Sequence, residues 1–321
     1  MTNTSYFSTL NPCYSTNTYY SSPFQQLFKF IMPTILIQNC GQTGLAAAKA
    51  LLAKGGITVR TTTRDTAKLT KKLAGLAVEV FASGDTAAFA GVDAFICIPP
   101  GGTPDPDDRV AIAIDFLQKA KDAGITHGAL VSVVVAAAEN RRGLFGAQFG
   151  AVEDAAAALD GVTVVSVRSP MFYENMWGDL EAIKSHDTFY IPIDGEIKQL
   201  TAAVSDVGAA LAAAVLDSSL GTSAVHILGD NLTKNEIAAL YSAKLGRTIN
   251  FVHAPVEAAV EAFAAYGMPK WQVDGVIELI AFNETDTFVA AHKGEFEALV
   301  GSAPTTVKQY IDTALIHGLG K

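Results

Sequence analysis

Thr34-Ile-Leu-Ile-Gln-Asn-Cys-Gly41-Gln-Thr-Gly44-Leu-Ala-Ala47 is the stretch on which the fold turns. It opens with a short apolar run of strand character, passes through Gly41-x-x-Gly44-x-x-Ala47, and continues into a helix-forming segment over residues 45–54. Small residues suit such a junction. Gly41 permits a tight turn, Gly44 lets backbone N–H groups approach a pyrophosphate, and Ala47 lets the helix lie close on the strand. The helix N-terminus adds partial positive charge. In a strand–turn–helix context this spacing points to dinucleotide binding.

Working outward, Gly55-Gly56 stops the helix and Ile57-Thr-Val-Arg60 resumes as a strand. Arg64 stands twenty residues past Gly44, where an NAD site normally presents an acid to the ribose and where Arg suits a 2′-phosphate. The reading favours NADP(H) over NAD(H). The adjacent Asp65 is either a ribose acid or, as favoured here, the cap of the following helix. Further strands are expected at residues 77–81, 93–98, 129–135 and 163–167. Helices are expected at 108–123 and near 152–159. Strands alternating with helices give right-handed βαβ units and a doubly wound parallel sheet covered on both faces, an α/β fold. After Arg168 the rhythm changes, and residues 255–321 read mostly helical, so a mostly helical cap is expected. A helix over 205–216 would start at Ser205, residues 224–228 could return to the sheet, and Thr233-Lys-Asn-Glu236 is a capping box. The expected division is a core of residues 33–170 plus 201–230 and a smaller discontinuous cap of 171–200 plus 231–321.

Composition narrows the function. Half of the 321 residues are hydrophobic and 17% are charged, so core material is ample. A net charge of −9 argues against nucleic-acid binding by bulk electrostatics. Apolar uncharged stretches reach only about ten residues, where a bilayer needs about 18, so no membrane span is expected. Three cysteines are too few for a disulfide framework and point to a reducing, cytoplasmic setting. Residues 1–31 differ: residues 1–22 hold ten Ser or Thr and four Tyr. They read as a disordered extension, with organelle targeting as the alternative and Met32 as a candidate functional start. The six histidines show no metal-ligand spacing with one another or with the cysteines, so no metal is expected. Cys40 and Cys97 read as small buried residues at strand ends.

The chain resembles the NmrA-like branch of the atypical short-chain dehydrogenase/reductases. The resemblance runs from about Thr34 to the end and rests on Gly41-Gln-Thr-Gly44, Thr62-Thr-Arg64, Ile98-Pro-Pro-Gly101 and Arg168-Ser-Pro-Met-Phe-Tyr-Glu-Asn175. The distal half adds Val204-Ser-Asp-Val207, Gly229-Asp-Asn-Leu-Thr233, Leu245-Gly-Arg247 and the stretch ending at Pro304. It implies a Rossmann-type fold with Gly41, Gln42, Thr43 and Gly44 at the pyrophosphate and Arg64 at the 2′-phosphate. Ile98, Pro99 and Ser132 would line the dinucleotide path, and Pro170 and Phe172 would flank the nicotinamide.

The family pattern is broken at its proton-donating end. A Tyr with a Lys four residues later is the usual donor pair. Here the matching helix reads Phe149-Gly-Ala-Val-Glu153, with Phe149 at the lysine position. Tyr266-Gly-Met-Pro-Lys270 has the spacing but lies in the cap, with a Pro inside it. Tyr173 is the remaining candidate donor, and Phe145, Phe149, Tyr173 and Trp177 are the candidate substrate pocket. The resemblance implies an NADPH-dependent oxidoreductase acting on a small hydrophobic or aromatic acceptor of quinone or carbonyl type. The alternative is a non-catalytic NADP(H)-binding redox sensor acting through a protein partner.

Overall fold

A computed structural model describes residues 32–137, 141–282 and 284–319. The extension of residues 1–31 lies outside the described residues. From Pro33 the chain runs β1 (Thr34–Ile37), α1 (Gln42–Lys54), β2 (Thr58–Thr63), α2 (Thr66–Lys72), β3 (Val78–Ala82), β4 (Ala94–Cys97) and α3 (Pro106–Asp122). It continues with β5 (His127–Val133), α4 (Gly143–Ala157), β6 (Thr163–Ser169), β7 (Met171–Phe172), α5 (Leu180–His186), β8 (Thr188–Ile191) and β9 (Gln199–Ala202). Then come α6 (Val204–Leu216), β10 (Ser223–His226), β11 (Asp230–Leu232), α7 (Lys234–Leu245), β12 (Asn250–His253), α8 (Val256–Ala265), α9 (Lys270–Ile280), α10 (Asp286–His292) and α11 (Glu295–Val300). A last helical run covers residues 307–318.

Seven strands form one sheet in the order β10-β6-β5-β4-β1-β2-β3, every pair parallel. The order is that of a Rossmann-type doubly wound sheet, extended at one edge by β10. The order reverses between β1 and β4, where such sheets open a crevice at their carboxyl ends. β1 and β4 are almost wholly buried, because helices cover both faces. On one face α1 and α6 pack over Ile35, Ile37, Ile96, Val165 and Val167. On the other, Leu36, Phe95 and Leu130 meet Phe116, Leu117 and Val152 of α3 and α4. The α1–α6 contact is close: a side chain at Gly208 would run into the backbone of Ala46.

A third apolar cluster stands apart from the sheet and joins Tyr173, Ile183, Phe189, Tyr241, Leu245 and Leu315. Two small sheets lie in the same half of the chain, β11-β9-β7 and β12-β8. The capping box at Thr233 forms as expected, with reciprocal bonds to Glu236. α6, however, begins at Val204 with Ala203 as its N-cap, so Ser205 lies inside the helix. The reason is Glu174, whose carboxylate accepts the Val204 N–H at 3.0 and 3.1 Å and replaces a local cap. Among the described residues no helix is long and apolar enough to cross a membrane.

Candidate functional site

The glycine turn links the end of β1 to α1, a helix of 13 residues. Asn39 organises it. Its Nδ2 donates to the Ile98 carbonyl at 2.7 Å, and its Oδ1 accepts the Gly41 N–H at 3.3 Å, so one side chain ties the turn to the end of β4. Gln38 makes a second tie, accepting the Ile98 N–H at 2.9 Å and donating to the Ile112 carbonyl at 3.1 Å. The two glycines differ in what they do. A Cβ on Gly44 would collide with the carbonyl oxygen of Asn39 and press on Ile98, so Gly44 is required by packing within the turn. A Cβ on Gly41 would meet only Asn39 Oδ1, at 3.4 Å. Gly41 borders open space.

That space is a cavity of about 650 Å³ lined by Gly41, Thr62, Thr63, Arg64, Lys68, Lys72, Gly84, Pro100 and Gly101, among others. Its charges favour an anion. Arg64, Lys68 and Lys72 face it together. Of its two acids, Asp65 accepts the Lys68 N–H at 2.9 Å as the cap of α2, and Asp115 pairs with Lys119 at 2.7 Å. Arg60, by contrast, is held by Glu79 at 2.8 Å and by the Ala90 carbonyl at 2.6 Å, which leaves Arg64 as the arginine available to a ligand there. Gln42 is exposed, and Thr43 and Gly44 are buried in the first turn of α1. Ile98, Pro99, Ser132 and Pro170 are buried along the carboxyl edge of the sheet, and Phe172 is half-buried. The Ser132 hydroxyl is buried with no hydrogen-bond partner among the described residues, a free donor at the end of β5.

A second cavity, about 330 Å³, begins at Val135, two residues beyond β5, and is walled by Phe145 of α4 and by Gly275, Leu279, Ala281 and Phe282. Its two charged residues are engaged. Glu278 accepts the Leu144 N–H at 2.8 Å near the start of α4, and the Arg142 guanidinium lies 3.5 Å from the centre of the Phe282 ring and 3.7 Å from Glu284. What remains is an apolar, aromatic surface.

The four residues expected to line one pocket do not come together. Phe145 borders the apolar cavity. Phe149 faces Arg109, which sits among Phe145, Phe149 and Trp271 with its charge 4.8–5.4 Å from the ring centres. Tyr173 is fully buried in the third cluster. Its hydroxyl donates to the Thr305 carbonyl at 3.1 Å and accepts the Asp230 N–H at 3.0 Å, and burial pushes its pKa well up. A phenol so placed holds the 171–173, 230 and 305 segments together, with its hydroxyl engaged both as donor and as acceptor. Trp177 is 48% exposed and donates its indole N–H to Tyr310 at 3.0 Å, away from Phe145.

Arg109 was not legible as a functional residue. Its guanidinium donates to the Pro100 carbonyl at 2.9 Å and to Gln148 at 3.1 Å, and burial lowers its pKa to about 10. α9 closes over the same loop, Trp271 donating to the Thr103 carbonyl at 2.9 Å and Gln272 accepting the Gly102 N–H at 2.8 Å. The 100–103 loop, one wall of the larger cavity, is therefore fixed from both sides.

The model of the NmrA-like family matches residues 33–311. An NAD(P)H azoreductase from Xenophilus azovorans is 27% identical over 262 residues, covering 78% of this chain and 88% of the relative. Among solved structures, the triphenylmethane reductase of Citrobacter sp. complexed with NADP(H) superposes with a TM-score of 0.73 at 19% identity, covering 88% of this chain and 100% of that one. NmrA, a negative transcriptional regulator solved with NAD, gives a TM-score of 0.69 at 16% identity, covering 90% and 97%.

Proposed function

Since the chain belongs to the NmrA-like family, we propose that it is an NADPH-dependent reductase of a small hydrophobic or aromatic acceptor, of quinone, carbonyl or azo type. The observation that carries this reading is the apolar cavity beside the end of β5, lined by Val135, Phe145, Leu279 and Phe282. A protein that only sensed its cofactor would have no need of it. The azoreductase relative, named as an NAD(P)H enzyme, supports the same reaction class.

The residues fit the dinucleotide. Gly41 and the amino end of α1 would take the pyrophosphate, and Arg64 the 2′-phosphate, with Lys68 and Lys72 adding charge. The Ser132 hydroxyl would donate to the nicotinamide end or to the acceptor. When bound, the nicotinamide supplies a hydride. The chain's part is to hold acceptor and cofactor together, and positioning of this kind supplies much of a catalytic effect. With Tyr173 engaged elsewhere and Phe149 at the lysine position, solvent would deliver the proton. Residues 33–170 plus 201–230 would serve as the cofactor-binding core, and 171–200 plus 231–321 as the substrate cap.

The same lack of a donor favours a second reading, a cofactor-binding regulator. The test is NADPH oxidation by the purified chain across a panel of quinones, aromatic carbonyls and azo compounds. Saturable turnover with any class supports the reductase. NADPH binding with no turnover across the panel would replace it with the regulator.

A further inference from the structure

We propose that His226, His292 and Glu295 form a binding site for a divalent transition-metal ion of the zinc class. The three come from β10, α10 and α11, and their ligand atoms all lie within 4.8 Å of one another. Glu295 stands at the centre. Its Oε2 is 3.1 Å from His226 Nδ1 and accepts the His226 backbone N–H at 2.8 Å, and its Oε1 is 2.7 Å from His292 Nδ1. The two imidazole rings lie 3.8 Å apart.

Zinc bonds to nitrogen and oxygen are about 2.0–2.1 Å, so two ligands of a tetrahedral ion stand about 3.3 Å apart. The carboxylate–imidazole separations are a few tenths of an ångström short of that spacing, so an ion enters by a small outward shift of side chains. Two imidazoles and a carboxylate are a donor set that zinc accepts, with the fourth position left to water. Access is present, because His292 and Glu295 are both partly exposed while His226 is buried.

The neighbouring charge is accounted for. Arg168 is held by Glu153 through two bonds of 3.0 and 2.7 Å, so that pair is neutral and the Glu295 charge faces the site. Metal at Nδ1 leaves the ring proton of His226 on Nε2, which is 3.4 Å from an Arg168 nitrogen. That long contact is given up, and Arg168 keeps both of its bonds to Glu153.

Occupation would fasten α10 and α11 to the edge of the sheet. It would also bear on the apolar cavity. Phe288 lies 5.3 Å from the His226 ring and 4.6 Å from that of His292, and packs with Val134, Val135 and Leu200. Val135 lines the cavity. The inference does not depend on the reductase reading.

The test uses the full chain, stripped with a chelator and titrated with Zn²⁺ by calorimetry, with Co²⁺ as the spectroscopic probe. One equivalent of Zn²⁺ should bind and raise Tm, and Co²⁺ should give the intense visible bands of a tetrahedral site. His292→Ala and Glu295→Gln should each weaken binding by about a hundredfold or more while keeping the wild-type circular dichroism. As a second arm, His292→Cys should bind Co²⁺ with a sulfur charge-transfer band that wild type lacks. Absence of stoichiometric binding, wild-type affinity in folded His292→Ala or Glu295→Gln, or no sulfur band in His292→Cys would overturn the proposal.

Discussion

Gly44→Val strikes the glycine turn at its tightest point. The first atom of the new side chain lands on the carbonyl oxygen of Asn39, and Asn39 in turn holds both Gly41 and the Ile98 carbonyl. Backbone on both sides has to move, because the obstructing atom is not the end of a flexible side chain. Overpacking of this kind costs about 1–3 kcal/mol or more, and the better helix propensity of Val over Gly returns only about 0.3–0.5 kcal/mol. A net loss of about 2 kcal/mol lowers Tm by about 3 °C in a chain of this size. Gly41→Ala is the contrasting variant. At Gly41 an added Cβ would meet only Asn39 Oδ1, at 3.4 Å. The variant should cost less stability than Gly44→Val yet gain less from NADPH than wild type, because the added methyl stands beside the cavity proposed for the cofactor. Thermal denaturation with and without NADPH reads both effects. A Gly44→Val chain that melts within a degree of wild type would refute the packing argument.

Arg64→Ala should weaken NADPH binding by about ten- to a hundredfold, from the ~1.5–3 kcal/mol of a charged hydrogen bond, and leave NADH nearly unchanged. Equal affinity of wild type for the two nucleotides by fluorescence titration would remove the 2′-phosphate role. Tyr173→Phe should cost about 1–2 kcal/mol of stability through the lost bonds to Thr305 and Asp230 while leaving kcat for NADPH oxidation unchanged. A large fall in kcat at wild-type stability would restore the phenol as donor. Burial pushes the Asp179 carboxyl up to about 7, against about 3.9 in an unfolded chain. The folded state therefore binds the proton more tightly, and this group costs stability as pH rises from about 4 to about 7. Asp179→Asn should flatten that decline in urea unfolding, and an identical pH dependence in wild type and variant would exclude Asp179 as its source.

The parallel sheet was legible because its information is local. β1, the glycine turn and α1 are contiguous, and the apolar runs of β4, β5 and β6 can each be recognised in isolation. The capping box at Thr233 was readable for the same reason. The start of α6 was not, since the group that caps it is Glu174, thirty residues earlier. Phe145, Phe149, Tyr173 and Trp177 were read as one pocket from their aromatic character. In the fold Tyr173 and Trp177 turn to Tyr310 while Phe145 and Phe149 turn to Arg109. His226 and Glu295 are 69 residues apart, so no spacing rule along the chain could pair them. Asn39 carries no motif, and its importance lies in two backbone partners that only the folded turn supplies.

The seating of Gly208 against Ala46 has a consequence for how the chain is made. α1 emerges early from the ribosome, but the helix that covers it, α6, ends at Leu216. At a synthesis rate of about 5–20 residues per second, the apolar face of α1 waits on the order of ten seconds for its cover. Until then Ala47, Ala48 and Leu51 have no permanent lid, and the segment is open to chaperones and to aggregation. A nascent chain arrested before Val204 should therefore be protease-sensitive around α1, and one released past Leu216 should not.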